Sequence, residues 1–384
     1  MTTHVISLQR TPQRFAEFRS RNSHLKDYRI FPAIDGSTVD LGQLQSEGYL
    51  DNTLTYSLGA IGNALSHIKL WELASAGGEV LTIVEDDSLL HHDFCAISRD
   101  VLSQMPRDWD LVIWGWNFDG AFAVDFGLGP SQAIFDPKAM RAGMDRYLRT
   151  PVSPSLRKLI VAFGMHCYSI SQNGAKKFLS IICPLRNMRV VTSIREFDNR
   201  GLDAMMNNFY PSLSCYAAIP PVALTINDKG VSTISPSLDR AIAAYGQKNF
   251  AETERLCQEI LRLDPRYFEA VHLLGATCAK MGRTAQAVEL LQRAVGLRPS
   301  NAAAHSDLGA ALVNMKRYDE AMRNLEIAVS LNPTNAKTYA STGHLLQLMG
   351  RVSEAIAAFD KALALKPHSQ EIARLRSTAS SRLK

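Results

Sequence analysis

The stretch from Val80 to Leu90, VLTIVEDDSLL, is the most informative segment in the first half of the chain. A short apolar run rich in β-branched residues is typical of a buried strand. This run ends at once in Glu85, Asp86 and Asp87. Because three adjacent acids repel one another, we expect a compensating cation at this strand end. A hard divalent metal, Mn²⁺ or Mg²⁺, held by one or two carboxylates and substrate phosphates would supply it. A solvated turn is the alternative reading.

Side chains alternate along a strand, so Glu85 and Asp87 should point to the same side and Asp86 away from it. We therefore predict that Asp87 and Glu85 are the metal ligands. Outward from this stretch, HVISL, WDLVIW and FGMHCYSIS read as further buried strands, and SHIKLWELASAG and QNGAKKFLSII as helices. This alternation predicts an α/β domain with a largely parallel sheet that binds its ligands at the carboxyl ends of the strands.

The second half of the chain repeats itself. Prolines recur every 34 residues at Pro265, Pro299, Pro333 and Pro367, and glycines and alanines keep the same step. This period is the signature of tetratricopeptide repeats, pairs of antiparallel helices that approach closely at small residues. We predict an α/β domain over residues 1–235 and an all-α repeat solenoid over residues 236–384. The solenoid should hold about three and a half units and a cap helix, with a degenerate unit before Pro265.

The composition excludes several classes of protein. Of 384 residues 46% are hydrophobic, the net charge is +5, and no run of Lys and Arg indicates a nucleic-acid partner. The six cysteines lie far apart, which favours a reduced compartment. We find neither a signal peptide nor an apolar run long enough to span a membrane. We therefore expect a cytoplasmic protein, with peripheral attachment to the inner membrane face as the alternative.

Six segments taken in order resemble glycosyltransferase family 25, the lipooligosaccharide and collagen galactosyltransferase family. They are VISLQRTPQR, FPAIDG, LTYSLGAIGNALSHIKLW, LTIVEDD, HCYSISQNGAKKFL, and GLDAMMNNFY with IPPVALTINDKGVSTI. The resemblance covers nearly all of residues 3–235. The chain departs from the family at Ala60-Ile61-Gly62-Asn63, where Glu-Ile-Gly-Cys is usual. Residues 118–160 match no family segment.

The resemblance implies a nucleotide-diphospho-sugar transferase (GT-A-like) fold and a bacterial-type enzyme that transfers a hexose from a UDP-sugar to an acceptor hydroxyl with inversion. Galactose is favoured and glucose is the alternative. Asp203 matches the late Asp of the family and is our first choice for the general base, with a helix N-cap as the competing role. Asp198 and Glu196 are the alternative bases.

The remaining assignments concern the donor. Arg10 and Arg14 follow the first strand and are predicted to pair with phosphate, unless they are exposed helix charges. Asp35 and Gly36 are assigned to the uridine, because a carboxylate accepts ribose hydroxyls and a glycine permits close approach. The other predicted donor contacts are Ser66, His67, Glu85, Asp86 and Asn117. Trp114 and Trp116, which are close to Asn117 in the sequence, are predicted either to form a stacking floor for a sugar or base or to be core residues.

Three hypotheses about the whole protein follow. In the first, the repeats recruit a protein or peptide acceptor or a partner protein. In the second, the acceptor is a glycan in lipopolysaccharide biosynthesis, and the repeats serve assembly, including a homodimer. In the third, the chain is a non-catalytic repeat scaffold with a degenerate transferase domain, which the missing acid at Ala60 favours and the intact acids oppose.

Overall fold

The structure, a computed structural model, describes residues 2–117, 121–193, 196–225 and 235–381. The chain divides into two compact units, Met1–Asp228 and Lys229–Lys384. Residues 226–234, which include the end of the last family-like segment, lie outside the described residues, as do the final three residues of the expected cap helix. The domain boundary after residue 235 therefore stays a prediction.

The first unit is built from strands and helices in alternation. Its strands are β1 (Thr2–Ser7), β2 (Arg29–Pro32), β3 (Leu81–Glu85), β4 (Ser88–Leu90), β5 (Leu111–Gly115), β6 (Phe122–Asp125), β7 (Pro130–Ala133), β8 (Ser155–Ala162), β9 (Cys167–Ile170), β10 (Arg189–Val191), β11 (Glu196–Asp198), β12 (Cys215–Ile219) and β13 (Ala223–Thr225). Its helices are α1 (Pro12–Arg21), α2 (Leu41–Ser46), α3 (Leu58–Gly77), α4 (Phe94–Ser103), α5 (Pro137–Tyr147), α6 (Gln172–Ile182) and α7 (Leu202–Met206), with a 3₁₀ turn at Tyr210–Ser212.

Within the described residues, the main sheet has nine strands in the order β2-β1-β3-β9-β5-β12-β8-β6-β7. β1 is parallel to β2 and β3, and β5 is parallel to β12. The other five neighbouring pairs are antiparallel. The expectation of a largely parallel sheet is therefore wrong, and the sheet is mixed. Apolar runs indicate that a strand is buried but carry no information on its direction.

Helices cover both faces of this sheet. Ile83 and Ile113 pack in one apolar cluster with residues of α3 and α6. Their chain neighbours Val84 and Val112 pack in a second cluster with residues of α1 and α4. Alternation along the strands explains the division, because successive side chains point to opposite faces. A strand buried on both faces forms a nearly continuous apolar run, and Thr82 is the one polar residue of the strand before Glu85.

Helix α3 carries the loop after β2 on its first turns. A Cβ on Gly36 would lie 1.7 Å from the carbonyl oxygen of Leu58, and one on Gly62 would lie 2.4 Å from that of Ile34. Ser66 joins the same two elements, since its hydroxyl donates to the carbonyl of Gly62 (2.7 Å) and accepts from the amide of Ile34 (2.9 Å). Gly36 was assigned to a close approach of the uridine, but the group that approaches it in the structure is the backbone of α3.

The segment without a family counterpart, residues 118–160, extends the sheet at one edge. Its described part forms β6, β7, α5 and most of β8. β7 is the last strand of the sheet, and β8 pairs with β12. This segment supplies three of the five antiparallel pairs. It is thus the main reason why the direction of the strands departs from the expectation.

The second unit is a row of helices. They are α8 (Ser235–Gly246), α9 (Phe250–Leu263), α10 (Phe268–Lys280), α11 (Thr284–Leu297), α12 (Ala302–Asn314), α13 (Tyr318–Leu331), α14 (Ala336–Leu348), α15 (Val352–Leu365) and α16 (Gln370–Ser381). In the described part of the chain they make four successive pairs and a last single helix. The segment before Pro265, counted above as a degenerate unit, forms the helix pair α8–α9.

The repeated small residues lie where paired helices touch. A Cβ added to the repeat glycine would come within 2.9 Å of a large side chain at Gly275, 2.7 Å at Gly309 and 2.8 Å at Gly343. Those neighbouring side chains are Leu291, Leu325 and Phe359. The period of 34 residues is thus the period of a close helix contact. No helix among the described residues is long and apolar enough to cross a membrane.

Candidate active site

Two neighbouring cavities open at the carboxyl ends of the parallel strands β1 and β3, each with a volume of about 260 Å³. They share the lining residues Asn63, Glu85 and Asp87. The first cavity is also lined by Ile6, Leu8, Arg10, Arg14, Ala33, Ile34, Asp35, Gly36, Gly59, Ser66 and Asp86. The second is also lined by His67, Asn117, Gly164, Met165, His166, Leu202 and Asp203. This edge is where α/β sheets bind their ligands.

Glu85 is the most strongly held of the three acids. His67 Nε2 lies 3.1 Å from Glu85 Oε1, and Asn63 Nδ2 donates to the same oxygen at 3.2 Å. Burial opposes ionisation of this carboxyl, but the hydrogen bond and charge of His67 and the hydrogen bond of Asn63 prevail and lower the pKa of Glu85 to about 2. Glu85 is therefore a carboxylate throughout the physiological range.

A buried hydrogen-bond chain lies behind Glu85. The hydroxyl of Tyr168 contacts His67 Nδ1 at 2.8 Å and accepts from Trp71 Nε1 at 2.8 Å. An ionised Glu85 only accepts, so Nε2 of His67 carries a proton and donates to it, while Nδ1 bonds with the Tyr168 hydroxyl. Both ring nitrogens of His67 are thereby satisfied, and its side chain is 2% exposed. His67, predicted as a donor contact, lines the second cavity and also positions Glu85.

Asp86 is buried against the first strand and helix. Its carboxylate accepts from Ser7 Oγ (3.0 Å) and pairs with Arg14 at 2.7 Å. Burial raises the pKa of Asp86, and the Arg14 guanidinium and the Ser7 hydroxyl act in the opposite direction. Arg14, predicted to pair with phosphate, is thus held by carboxylates in this structure and reaches Asp87 as well, at 3.6 Å.

Asp87 is the least satisfied of the three acids. Its Oδ1 is buried and has no hydrogen-bond partner within the described ranges. Burial and then the charge of Glu85 raise the pKa of Asp87 to about 7, although Arg14 lowers it. No group of three or more His, Cys, Asp or Glu side chains able to hold a metal occurs among the described residues. A cation at Asp87 would therefore need ligands from the substrate as well.

The predicted uridine contacts lie at the far side of the first cavity. Arg10 Nε pairs with Asp35 at 3.0 Å, and the other carboxylate oxygen of Asp35 accepts from the hydroxyl and amide of Ser37. Although burial works against it, the hydrogen bonds of Ser37 and the charge of Arg10 lower the pKa of Asp35. Ser66 is fully buried, so its hydroxyl serves the loop contact described above.

Asp203 faces the second cavity from α7. Its carboxylate accepts from the amide of Gly164 (3.1 Å) and from that of Ala204 (2.8 Å). The N-cap of α7 is Gly201, so Asp203 occupies the first turn of the helix rather than the cap. Burial raises the pKa of Asp203, and the two amide hydrogen bonds lower it less. Gly164, with φ +77°, also packs against the side chain of Asn117.

His166 was not among the predicted site residues, and it also lines the second cavity. The side chain is buried, and its Nε2 has no hydrogen-bond partner within the described ranges. Burial lowers the pKa of His166 to about 4, against the opposing influence of Glu85 and the Trp116 backbone. The available signal was its position one residue before β9, beside the end of β3. The sequence around a single histidine in an apolar stretch does not show which residues surround it in the folded chain.

Several predicted residues lie elsewhere. Glu196 is exposed and paired with Arg189 across the β10–β11 hairpin, and neither Glu196 nor Asp198 lines either cavity. Trp114 and Trp116 are buried in the core, so neither is a stacking floor for a sugar. Ala60, at the position of the missing family acid, lines neither cavity.

Comparison with known proteins finds a family match in each half of the chain. Residues 1–194 match the family described as glycosyltransferase family 25 (LPS biosynthesis protein). Tetratricopeptide repeats match at residues 244–312, 279–341 and 312–378.

Two curated relatives illustrate the range of the family. A protein of Rattus norvegicus, named probable inactive glycosyltransferase 25 family member 3, is 28% identical over 236 residues, which are 57% of this chain and 37% of that protein. A glycosyltransferase 25 family member of Aedes aegypti is 30% identical over 124 residues, 29% of this chain and 20% of that protein. The chain thus matches only 37% of the length of the first relative and 20% of the length of the second.

Similar solved structures include MamA, at 26% identity and a TM-score of 0.33, covering 37% of this chain and 82% of that one. The tetratricopeptide protein TTC0263 of Thermus thermophilus has 22% identity and a TM-score of 0.37, covering 39% and 83%. The family match extends over half of the chain and contains the strand end, the helix and the loop that line the first cavity. The chain belongs to glycosyltransferase family 25 and carries tetratricopeptide repeats after the transferase domain.

Proposed function

We propose that the chain is an active glycosyltransferase that moves a hexose from a UDP-sugar to an acceptor hydroxyl, with galactose as the first candidate and with inversion at the anomeric carbon. The observation that carries this proposal is Asp87, whose buried, unpartnered oxygen lies between two polar cavities at the carboxyl edge of the sheet. Relatives in the family include proteins named as inactive, but in this chain the three acids and Asp203 are all present.

The first cavity suits the nucleotide. Arg10 and Arg14 supply positive charge near its mouth, and the carboxylate of Asp35 can accept hydrogen bonds from ribose hydroxyls. Arg14 is shared between Asp86 and Asp87, so an incoming diphosphate competes with those carboxylates for the guanidinium. The second cavity then receives the hexose and the acceptor hydroxyl.

The donor set at the shared wall fits a hard divalent cation, Mn²⁺ or Mg²⁺. Asp87 offers an unpartnered oxygen, and Glu85 is a carboxylate facing the same two cavities. Two carboxylates with substrate phosphates are a common way of holding Mg²⁺. When bound, such a cation would neutralise charge on the diphosphate leaving group. Glu85 is kept ionised and oriented by His67 and Asn63.

Asp203 is our choice for the general base. It lines the second cavity together with Glu85 and Asp87, and burial raises its pKa, which strengthens it as a proton acceptor. It would take the proton of the acceptor hydroxyl as that oxygen attacks the anomeric carbon on the face opposite the departing UDP. The amides of Gly164 and Ala204 hold its carboxylate in place.

The repeats are assigned to recruitment of a protein or peptide acceptor, or of a partner protein, because stacked repeats present extended binding surfaces. A glycan acceptor in lipopolysaccharide biosynthesis, with the repeats serving assembly or a homodimer, is the second candidate and is favoured by the family description. All six cysteines are free thiols, which supports a cytoplasmic location as part of this proposal.

The deciding experiment measures UDP release from a panel of UDP-sugars with and without Mn²⁺. We expect metal-dependent release from one UDP-hexose and a loss of at least about a hundredfold in Asp87→Asn. Asp100→Asn is the control, because that carboxylate is exposed on α4, lines neither cavity, and accepts a hydrogen bond from the side chain of Gln104. Equal activity of Asp87→Asn and the wild type would remove Asp87 from the site. A wild type that neither releases UDP nor is stabilised by it would favour the scaffold hypothesis.

A further inference from the structure

Helix α7 carries Asp203 but is too short to fix its own orientation. It spans five residues, Leu202–Met206, and its N-cap residue Gly201 has no side chain to cap the first turn. A helix of this length is unstable in isolation, so the direction in which Asp203 points must be set by contacts with other elements. The residue immediately after the helix, Asn207, supplies such contacts.

Asn207 is 1% exposed, and its side chain joins α7 to the end of β8. Its Oδ1 accepts from the amide of Ala162 (2.9 Å), and its Nδ2 donates to the carbonyl of Ala162 (2.9 Å). The same Nδ2 donates to the carbonyl of Asp203 (2.9 Å), one turn earlier in the chain. The carboxamide thus uses both of its hydrogens and its oxygen to hold the helix against the strand.

The sheet leaves a place for this contact at the end of β8. The pairing of β8 with β12 runs from Ser155 to Lys158, so the backbone of Ala162 lies beyond it. A buried backbone amide and carbonyl that no neighbouring strand pairs with need other partners. A carboxamide offers the same donor and acceptor as a peptide group, and Asn207 therefore takes the place of a strand here.

The strand end that Asn207 holds leads directly to the amide that holds Asp203. Gly164 lies two residues after the end of β8, and its amide donates to Asp203 Oδ2 at 3.1 Å. Asp203 and Asn207 are four residues apart, so they lie about one helical turn from each other and engage the same stretch of chain. That stretch is itself fixed, because the carbonyl of Phe163 accepts from the amide of Asn117 at 2.9 Å. A shift of α7 would therefore move the carboxylate within the second cavity.

We propose that Asn207 is a positioning residue, whose carboxamide fixes α7 against the end of β8 and thereby fixes the carboxylate of Asp203 in the second cavity. The inference rests on the proposed function, in which Asp203 is the general base, and deepens it. A general base must lie within hydrogen-bond reach of the hydroxyl whose proton it takes, so a small displacement of Asp203 slows the reaction. Binding of UDP, which we assign to the first cavity, does not depend on this contact.

A second asparagine of the transferase domain makes the same set of contacts elsewhere. Asn22 is 2% exposed and follows α1. Its Nδ2 donates to the carbonyl of Phe18 one turn earlier (3.0 Å) and to that of Ser88 (2.9 Å). Its Oδ1 accepts from the amide of Leu90 (2.7 Å). Asn22 thus joins the end of α1 to β4, and it is the matched control for the loss of such a side chain.

The test places serine at each position. A serine hydroxyl can still donate to the carbonyl one turn earlier but is too short to reach the strand, so each variant loses the contact between helix and strand through a small change. In Asn207→Ser, amide hydrogen exchange over residues 162–164 should be about tenfold faster than in the wild type, as expected for the loss of two ordinary hydrogen bonds. In Asn22→Ser, exchange over residues 162–164 should be unchanged and exchange over residues 88–90 faster.

UDP release and UDP binding separate a positioning role from a structural one. With the UDP-hexose on which the wild type is most active, Asn207→Ser should release UDP about tenfold more slowly at saturating donor, because catalysis is sensitive to small displacements. Its affinity for UDP, measured by calorimetry, should stay within about twofold of the wild type. Asn22 holds the strand that follows Asp87, so Asn22→Ser serves as the control for exchange and not for activity.

Unchanged exchange over residues 162–164 in Asn207→Ser would overturn the inference and leave the proposed function intact. Faster exchange of these residues in both variants would also overturn it, because the effect would then be a general loosening of the domain. Unchanged UDP release, or a loss of UDP affinity as large as the loss of UDP release, would do the same. A wild type that releases no UDP from any UDP-hexose would instead count against the proposed function, whatever the exchange of residues 162–164.

Discussion

Glu85, Asp86 and Asp87 are consecutive in the chain, yet each carboxylate meets a different environment. Glu85 bonds to His67 and Asn63, Asp86 pairs with Arg14 in a nearly buried contact, and Asp87 is left with an oxygen that has no partner in the described chain. The turn after β3 produces this division, because it sends Asp86 toward the first strand and helix. Asp87, the least satisfied of the three, therefore has an oxygen available to a ligand.

The raised pKa of Asp87 makes stability depend on pH. With a pKa of about 7 in the folded chain against an ordinary value of 3.8, the folded state binds this proton more tightly. Stability therefore falls as pH rises from about 4 to about 7. Asp87→Asn should remove that dependence and raise the melting temperature of the transferase domain at pH 8 by about 2 °C, with a smaller gain at pH 5.

Thermal unfolding in EDTA at both pH values checks this prediction. EDTA excludes stabilisation by an adventitious metal, which would act through the same carboxylate. A variant less stable than the wild type at pH 8 would contradict the assignment of a destabilising charge to Asp87. Together with the expected loss of activity, a gain would show that stability is sacrificed at the site.

The hydroxyl of Tyr168 joins the indole of Trp71 to the imidazole of His67 in the core. Tyr168→Phe should leave a buried N–H of Trp71 and a nitrogen of His67 unpaired, at a cost of about 1–3 kcal/mol in the free energy of unfolding. Urea unfolding measures it. Tyr49→Phe is the matched control, because that hydroxyl bonds to half-exposed Glu72 and water can replace it. Similar losses of unfolding free energy in the two variants would contradict the buried hydrogen-bond chain through Tyr168.

At the scale of elements, the first cavity depends on how closely the loop after β2 lies on α3. Gly62→Ala would place a Cβ 2.4 Å from the carbonyl of Ile34 and 2.5 Å from the amide of Gly36, both backbone atoms. We expect destabilisation by about 2 kcal/mol or more and weaker UDP binding, because the loop must move. Gly77→Ala in the same helix, where a Cβ meets nothing within 4 Å, should be neutral or mildly stabilising.

Chemical denaturation and calorimetric titration with UDP measure the two effects. Destabilisation without any change in UDP affinity would show that the contact between the loop and α3 does not shape the first cavity. No destabilisation at all would mean that the contact between loop and helix is looser than described.

At the scale of the whole molecule, two units with different construction share one chain. The transferase domain has a sheet covered on both faces, and the repeats form a row in which each helix pair packs on its neighbours. In such a row stability is a sum of local terms. A lesion in one repeat should therefore be felt in that repeat and the adjacent ones first.

Gly309→Ala tests this locality. Its Cβ would lie 2.7 Å from Leu325 Cγ and 3.2 Å from the carbonyl of Ala321, across the contact of α12 and α13. We expect a loss of about 1–3 kcal/mol and faster amide hydrogen exchange in α12, α13 and the flanking helices. UDP release by the transferase domain should be unchanged. Gly296→Ala on α11, with open space around it, is the control. Amide hydrogen exchange that rises uniformly over both units would contradict the expectation that the effect stays near the substituted repeat.

Much of this molecule was predictable from local signals. The helix over residues 172–182 begins and ends where its pattern predicted, and the strand before Glu85 lies where its apolar run placed it. The repeats were predicted because a close helix contact requires a small residue at the same place in every unit. The direction of strands β6 to β9 was not predictable, because it depends on which strand of the sheet each of them pairs with.

For the candidate site, residue order alone predicted which acids stand at the end of β3 and that the chain belongs with the family 25 transferases. Local spacing and residue order carry that information. That His67 stands behind Glu85, that Asp203 meets Gly164, and that His166 lines the second cavity became visible only in the folded chain. Each of these depends on a partner distant in the chain, and burial, hydrogen-bond partners and pKa arise only when the folded sheet brings such residues together.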